Sequence, residues 1–178
     1  MILATDVVPA LGGPFVSACA LLFVAGAGKV AHPEPAQVAA RAAGFPVPRA
    51  GVIAFGCIEV GAGVAGALFG GPTALAVASC YLVLTIVAIR LLLRAPSTPC
   101  ACLGGSNTPV TPTHVALNVV AMVIAVVAAF GRSPVGALSG HWLTGALFAV
   151  LVGCCVKLAM LVLETLPELA AATKEGTP

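Results

Sequence analysis

AGVIAFGCIEVGAGVAGALFG, residues Ala50 to Gly70, is apolar throughout except for one carboxylate, Glu59, near its middle. Coiled as a helix, an apolar run of this length matches the hydrocarbon thickness of a bilayer. A surface helix of a soluble protein would instead carry a polar face along its length. The run therefore decides the fold class as helical and membrane-embedded, and the whole composition agrees. Of 178 residues, 60% are hydrophobic and 8% are charged, against about 25% charged in a soluble domain, and mean hydropathy is +1.13. A net charge of +2 without a basic stripe argues against nucleic acid as a partner.

Four more apolar runs flank this one. The first extends uncharged from Val7 to Gly28 and ends at Lys29, expected as an interfacial anchor. Val16-Ser17-Ala18-Cys19 superficially resembles a lipoprotein cleavage site, but the run continues well past Cys19 and reads as a spanning helix. Downstream of Ala50–Gly70, Gly71-Pro72 turns the chain into a run that ends with Arg90 and Arg94. Two later runs are separated by Gly131-Arg132-Ser133-Pro134. The expected architecture is an all-α polytopic transmembrane bundle of about five spans, near 10–28, 50–70, 73–93, 113–130 and 141–163, forming a single domain over 1–163. Residues 32–48, with prolines at both ends, read either as a short helix lying at the membrane surface or as a plain polar loop. The connection 95–112 is a loop, and 164–178 is a polar tail. Gly66 and Gly70 form a small-xxx-small pair that lets helices approach closely.

Reactive side chains crowd together in one place, Pro99-Cys100-Ala101-Cys102-Leu103-Gly104-Gly105-Ser106-Asn107-Thr108-Pro109. A bridge between cysteines one residue apart closes a short, strained ring, and strained disulfides are oxidising and labile. Thr111 suits an N-cap and Pro112 the first position of the following helix. A helix N-terminus near a thiol favours the thiolate, and Arg90 and Arg94 are placed to add positive charge. Zinc is a rival reading, but it needs a second ligand pair, and only His114 lies close by. Inert loop cysteines are the third reading. The other cysteines (Cys19, Cys57, Cys80, Cys154, Cys155) fall in apolar runs, where cysteine behaves as a small hydrophobe.

Polar residues inside apolar runs are the remaining candidates. An ionised carboxylate at mid-bilayer costs on the order of 3 kcal/mol on insertion scales, so Glu59 is expected to face the bundle interior, protonated, paired or hydrated. It reads either as a proton acceptor for thiol–disulfide or quinol chemistry, or as a structural hydrogen bond to another helix. His114 and Asn118 share one helix face just after the cysteine turn. Either could contact the turn or a bound ligand; the bland alternatives are a solvated or interfacial histidine and an interhelical hydrogen bond from Asn118. Lys157 is expected to snorkel to the interface. In a five-span chain Lys29, Arg41, Arg49, Arg90, Arg94 and Lys174 fall on one side and Arg132 on the other. The positive-inside rule then places the N-terminus outside and the Cys-x-Cys loop on the cytoplasmic side.

Together these features resemble the MauE family of methylamine-utilisation membrane proteins, related to DoxX. The matching residues are Gly28-Lys29-Val30, Pro33 and Gly44-Phe45-Pro46; Glu59 in the second run; and Cys100-Ala101-Cys102-Leu103-Gly104 before a helix carrying Asn118. The family usually has Gly and Phe where this chain has Ala101 and Leu103, which keeps both thiols but makes the turn less permissive. The resemblance covers roughly residues 10 to 130. It implies a four-helix core plus one helix, in the bacterial cytoplasmic membrane, associated with redox maturation beside a thioredoxin-like partner. It does not imply methylamine metabolism. The expected function is thiol–disulfide exchange through Cys100 and Cys102, with Glu59 relaying a proton and a membrane quinone as electron acceptor. The alternative is a non-enzymatic scaffold or assembly subunit of a membrane complex, docking through its glycine-rich helix and the 32–48 segment. A solute carrier using Glu59 has no inverted repeat to support it.

Overall fold

The computed structural model describes residues 12–99, 109–130, 150–159 and 161. Cys100 and Cys102, the break around Arg132, most of the 141–163 run and the 164–178 tail lie outside the described residues. In chain order the helices are α1 Gly12–Ala31, α2 Pro33–Ala42, α3 Arg49–Phe69, α4 Thr73–Arg94 and α5 Pro112–Ala128, followed by α6, Val150–Ala159. With 20, 21 and 22 residues, α1, α3 and α4 are each about 30 Å long or slightly more, enough to cross a hydrocarbon core. These three are long and apolar enough to span, and α5 and α6 are shorter apolar helices. The chain is a helical membrane bundle.

Packing centres on α1, which lies most extensively against α3, while α4 packs on α5 and on α3. The α1–α3 contact is antiparallel, because Phe15 meets Gly66, Cys19 meets Gly63, and Lys29 meets Gly56. Glycine makes this approach possible. A Cβ on Gly26 would lie 2.6 Å from the carbonyl oxygen of Gly56, and one on Gly63 would lie 2.7 Å from that of Cys19. Any side chain here would collide with backbone, which cannot swing aside. Of the expected Gly66/Gly70 pair only Gly66 serves packing, against Phe15, Cys19 and Val77. Gly70 instead ends α3 at φ 60°, and Gly71 continues the turn at φ 53°, a conformation that costs a residue with a Cβ. Thr73 Oγ1 secures the turn by donating to the Gly70 carbonyl at 2.7 Å.

Two apolar clusters fill the interior. One gathers Phe15, Leu22, Val77, Leu84 and Ala125 from α1, α4 and α5. Within it Tyr81, 3% exposed, donates its hydroxyl to the Ala18 carbonyl at 2.7 Å. This satisfies a polar group that would otherwise be stranded in an apolar medium. The second cluster lies at the opposite end of α4. There Ala39 and Ala43, Ala88 and Leu91, and Val110 from the start of the α5 segment come together. Residues 33–42 form a helix rather than a plain loop, with Pro33 and Ala39 buried against the bundle.

Glycine at position 26 is a steric requirement, whereas Gly61 has nothing within 4 Å of its would-be Cβ. Gly26→Ala is expected to lower stability by about 1–3 kcal/mol through overpacking, while Gly61→Ala leaves it within about 0.5 kcal/mol. Thermal unfolding of both variants in the same detergent checks the contrast; equal midpoints would mean that α1 and α3 do not approach in this way.

Candidate functional site

Gly26 and Lys29 on α1 repeat the spacing of Gly56 and Glu59 on α3, a glycine followed three residues later by a charge. Three residues is close to one helical turn, so each glycine lies on the same face as its charged neighbour. Where the glycines bring the backbones together, Lys29 Nζ meets both carboxylate oxygens of Glu59, at 2.9 Å from Oε1 and 2.8 Å from Oε2. Both residues are buried, Glu59 at 0% exposure and Lys29 at 4%. Phe55 adds its ring face, with its centroid 5.9 Å from Nζ.

Lys29 was expected as an interfacial anchor, and its burial corrects that. Side chains on a helix tilt toward its N-terminus. Lys29 sits near the C-terminal end of α1, so its stem points back along the helix rather than out past its end. Glu59 lies ten residues into α3, about 15 Å along the helix. The lysine thus reaches inward to the carboxylate instead of outward to water. Of the states expected for Glu59, the ion pair is the one present. The matched glycine-plus-three spacing on α1 and α3 was the signal in the sequence from which the partnership could have been read.

Pro99 and Pro109 form an isolated antiparallel bridge, and the Val110 N–H donates to the Thr98 carbonyl at 3.3 Å. The two ends of segment 100–108, which carries both expected redox cysteines, are thereby held together. Val110 is buried in the cluster shared with α2 and α4, which pins this closure to the bundle. Immediately beyond it α5 starts at Pro112, as the Thr111-Pro112 pattern predicts. His114 bends back to the N-cap: its Nδ1 accepts the Thr111 N–H at 3.2 Å and lies 2.8 Å from Thr111 Oγ1. Because Nδ1 accepts, the ring proton resides on Nε2. His114 is 4% exposed, so the solvated or interfacial histidine is not what the chain builds. Asn118, one turn on, is 6% exposed. The structure therefore buries His114 and Asn118 together below the closure, with Glu59 on a different helix. Lys157 is exposed on α6, as are Cys154 and Cys155.

Arg90 and Arg94, expected to add positive charge near the thiols, make their described contacts with the α2–α3 connection. Arg90 stacks over the Phe45 ring, its guanidinium carbon 5.5 Å from the centroid, and the Arg94 guanidinium occupies the space that a Cβ on Gly44 would need. Gly44 also has φ 91°, so two independent constraints demand glycine there. These contacts fasten the α2–α3 connection to the end of α4. An apolar cavity of about 470 Å³ is walled by α2, the α2–α3 connection, the start of α3 and the second half of α4, with Lys29 as its one ionisable lining residue. Among the described residues no group of three or more His, Cys, Asp or Glu side chains is placed to hold a metal ion.

The family model described as methylamine utilisation protein MauE matches residues 9–131. That stretch covers α1 through α5, and so includes the ion pair, the closure around 100–108 and the cavity. No curated protein and no solved structure matches the chain.

A buried ion pair loses most when only one partner is removed. Lys29→Met or Glu59→Leu alone is expected to destabilise the bundle by about 3–5 kcal/mol, and the Lys29→Met/Glu59→Leu pair together by clearly less than the sum. Chemical unfolding in detergent of the wild type, both single variants and the double variant gives the coupling directly. Additive losses would show that the pair is not energetically linked.

Proposed function

Starting from a chain that belongs to the MauE family, we propose that it is a membrane redox protein in which Cys100 and Cys102 exchange a disulfide with a protein partner. The observation that carries this is the Thr98–Val110 and Pro99–Pro109 closure. It fastens the ends of the Cys-x-Cys segment to the bundle beside the cap of α5. An incidental loop has no need of that anchoring; a segment that must meet a partner in one orientation does.

The exchange balances as follows. A partner thiolate attacks the Cys100–Cys102 disulfide and forms a mixed disulfide. The second partner thiolate then displaces it, so the partner leaves oxidised and Cys100 and Cys102 are left as thiols. Two electrons have passed to this chain. A membrane quinone accepts them together with two protons, becoming quinol as the disulfide re-forms. Glu59, held by Lys29, is the proton-handling group, and His114 and Asn118 position the segment that carries the thiols. A thioredoxin-like protein fits the partner role, and a bacterial cytoplasmic membrane the location. The scaffold alternative would dock a partner through the glycine-rich α3 and the 32–48 segment; of the glycines it would use, Gly66 is already occupied by Phe15, Cys19 and Val77 of the same chain.

Cys100→Ser and Cys102→Ser are each expected to abolish partner oxidation, at least a hundredfold down, with the protein still in the membrane at wild-type level. Alkylation-shift assays of the partner's thiols in cells read this out. Full partner oxidation in the double serine variant would exclude the proposed role.

A further inference from the structure

The apolar cavity between α2, α3 and α4 does not select an occupant by hydrogen bonding. Lys29 reaches its wall, but the ammonium is already engaged by both carboxylate oxygens of Glu59 and by the Phe55 ring. The rest of the described lining is alanine, glycine, valine, leucine, isoleucine and phenylalanine. A space of about 470 Å³ with no atoms in it forfeits the dispersion contacts of every wall. Its walls are buried on one side and open on the other. Ala39, Val52 and Leu84 are buried, whereas Val83 and Ile86 are exposed on the outer surface of α4. In a bilayer the material against that surface is hydrocarbon chain, which matches the walls without needing a polar partner.

The rim of the cavity carries charge of one sign. Val83, Val87 and Arg90 follow one another at i, i+4 and i+7, so they form one stripe of α4, and Arg94 continues it by another turn. Arg90 stands about 10 Å from Val83 along the helix, on the side where α4 ends. Its guanidinium lies over Phe45, which is itself a lining residue, 5.5 Å from the ring centroid. Among the described residues no carboxylate pairs with Arg90 or Arg94. Arg41, Arg49, Arg90 and Arg94 share this end of the bundle with one exposed carboxylate, Glu34, which pairs with Arg49 at 3.4 Å. An apolar cavity that opens toward hydrocarbon beneath a cationic rim is complementary to a chain with an anion at its head. We propose that the cavity holds one acyl chain of an anionic phospholipid whose phosphate lies at Arg90. The phosphate accepts from the guanidinium, a charge-assisted contact. The chain passes between the α2 alanines and Val87 and reaches Phe55 and Val83. A zwitterionic lipid offers the same chain but no net charge to the arginines. The proposal is independent of the thiol reading. Ala36, Phe45 and Val87 also pack against the cluster that holds Val110, so a bound chain would support the residues that anchor the closure around 100–108.

The test uses the full chain in phosphatidylcholine nanodiscs doped with a trace of photoprobe, and peptide mass spectrometry maps the label. The two probes are phosphatidylglycerol and phosphatidylcholine, each carrying a diazirine in one acyl chain. The phosphatidylglycerol probe is expected to label Ala36–Ala40, Phe55 and Val83–Val87 at least fivefold more than the phosphatidylcholine probe, and excess unlabelled phosphatidylglycerol should suppress that label. Ala40→Phe and Val83→Phe fill the cavity from opposite walls, and each should cut labelling at least fivefold with helicity and monodispersity unchanged. Leu75→Phe, an exposed position outside the lining, should label like the wild type. Arg90→Gln should shrink the preference between the probes to less than twofold and leave label on the same residues. Label spread evenly over the outward faces of α1, α3 and α4, equal labelling by the two probes, or full labelling in both filled variants would overturn the site. Full preference retained in Arg90→Gln would overturn the headgroup contact. Walls left unlabelled in a protein that forms a stable dimer would give this face to a second copy and overturn the proposal.

Discussion

Lys29 and Glu59 meet 2.8 Å apart in the interior of the bundle, where they are the only buried Lys, Arg, Asp or Glu side chains among the described residues. Separately, each would cost on the order of 3 kcal/mol to place in a bilayer. Paired, they are neutral as a unit, and the contact exists only if α1 and α3 lie close and in one register. A one-residue slip of α3 would rotate Glu59 by about 100° away from α1. The glycines supply the closeness and the charges supply the register. The same four residues thus account for why α1 and α3 form the most extensive contact in the molecule.

From that contact the bundle divides into two parts of different character. Around Phe15, Leu22 and Tyr81 the interior is filled by apolar side chains, and the tyrosine hydroxyl finds a backbone carbonyl. Toward the other end small residues line α2, arginines are drawn onto the α2–α3 connection, and an open cavity persists beside the lysine. Dense packing provides stability in one part, while incomplete packing leaves an apolar cavity in the other. The closure at Pro99 and Pro109 is anchored at this second end through Val110.

The chain belongs to the MauE family, and its own geometry adds a reason for the spacing of its polar residues. Lysine at the end of one helix and glutamate within another are unremarkable when taken singly. As a pair at a glycine contact they form a buried ion pair that joins α1 to α3. His114 serves beside the closure, where its ring caps α5 and leaves Nε2 carrying the proton.

Much was legible in the sequence because hydropathy is local. Runs of apolar residues with few charges specify membrane helices whatever their neighbours do, and the turn at Gly71-Pro72, the start of α5 at Pro112 and the family resemblance needed no third dimension. That Glu59 must be neutralised also followed from the sequence, since a lone charge in hydrocarbon is too costly. Its partner did not follow, because Lys29 stands 30 residues away and its position near a helix end looked like an anchor. The direction of the Cα–Cβ bond and the meeting of Gly26 with Gly56 turned it inward. Tertiary structure likewise set Arg90 against Phe45 and Arg94 against Gly44, buried His114, and opened the cavity between α2, α3 and α4. Those outcomes depend on which surfaces meet across the bundle. Composition determines that the helices enter the membrane, and only their packing determines which charges, rings and gaps they bring together.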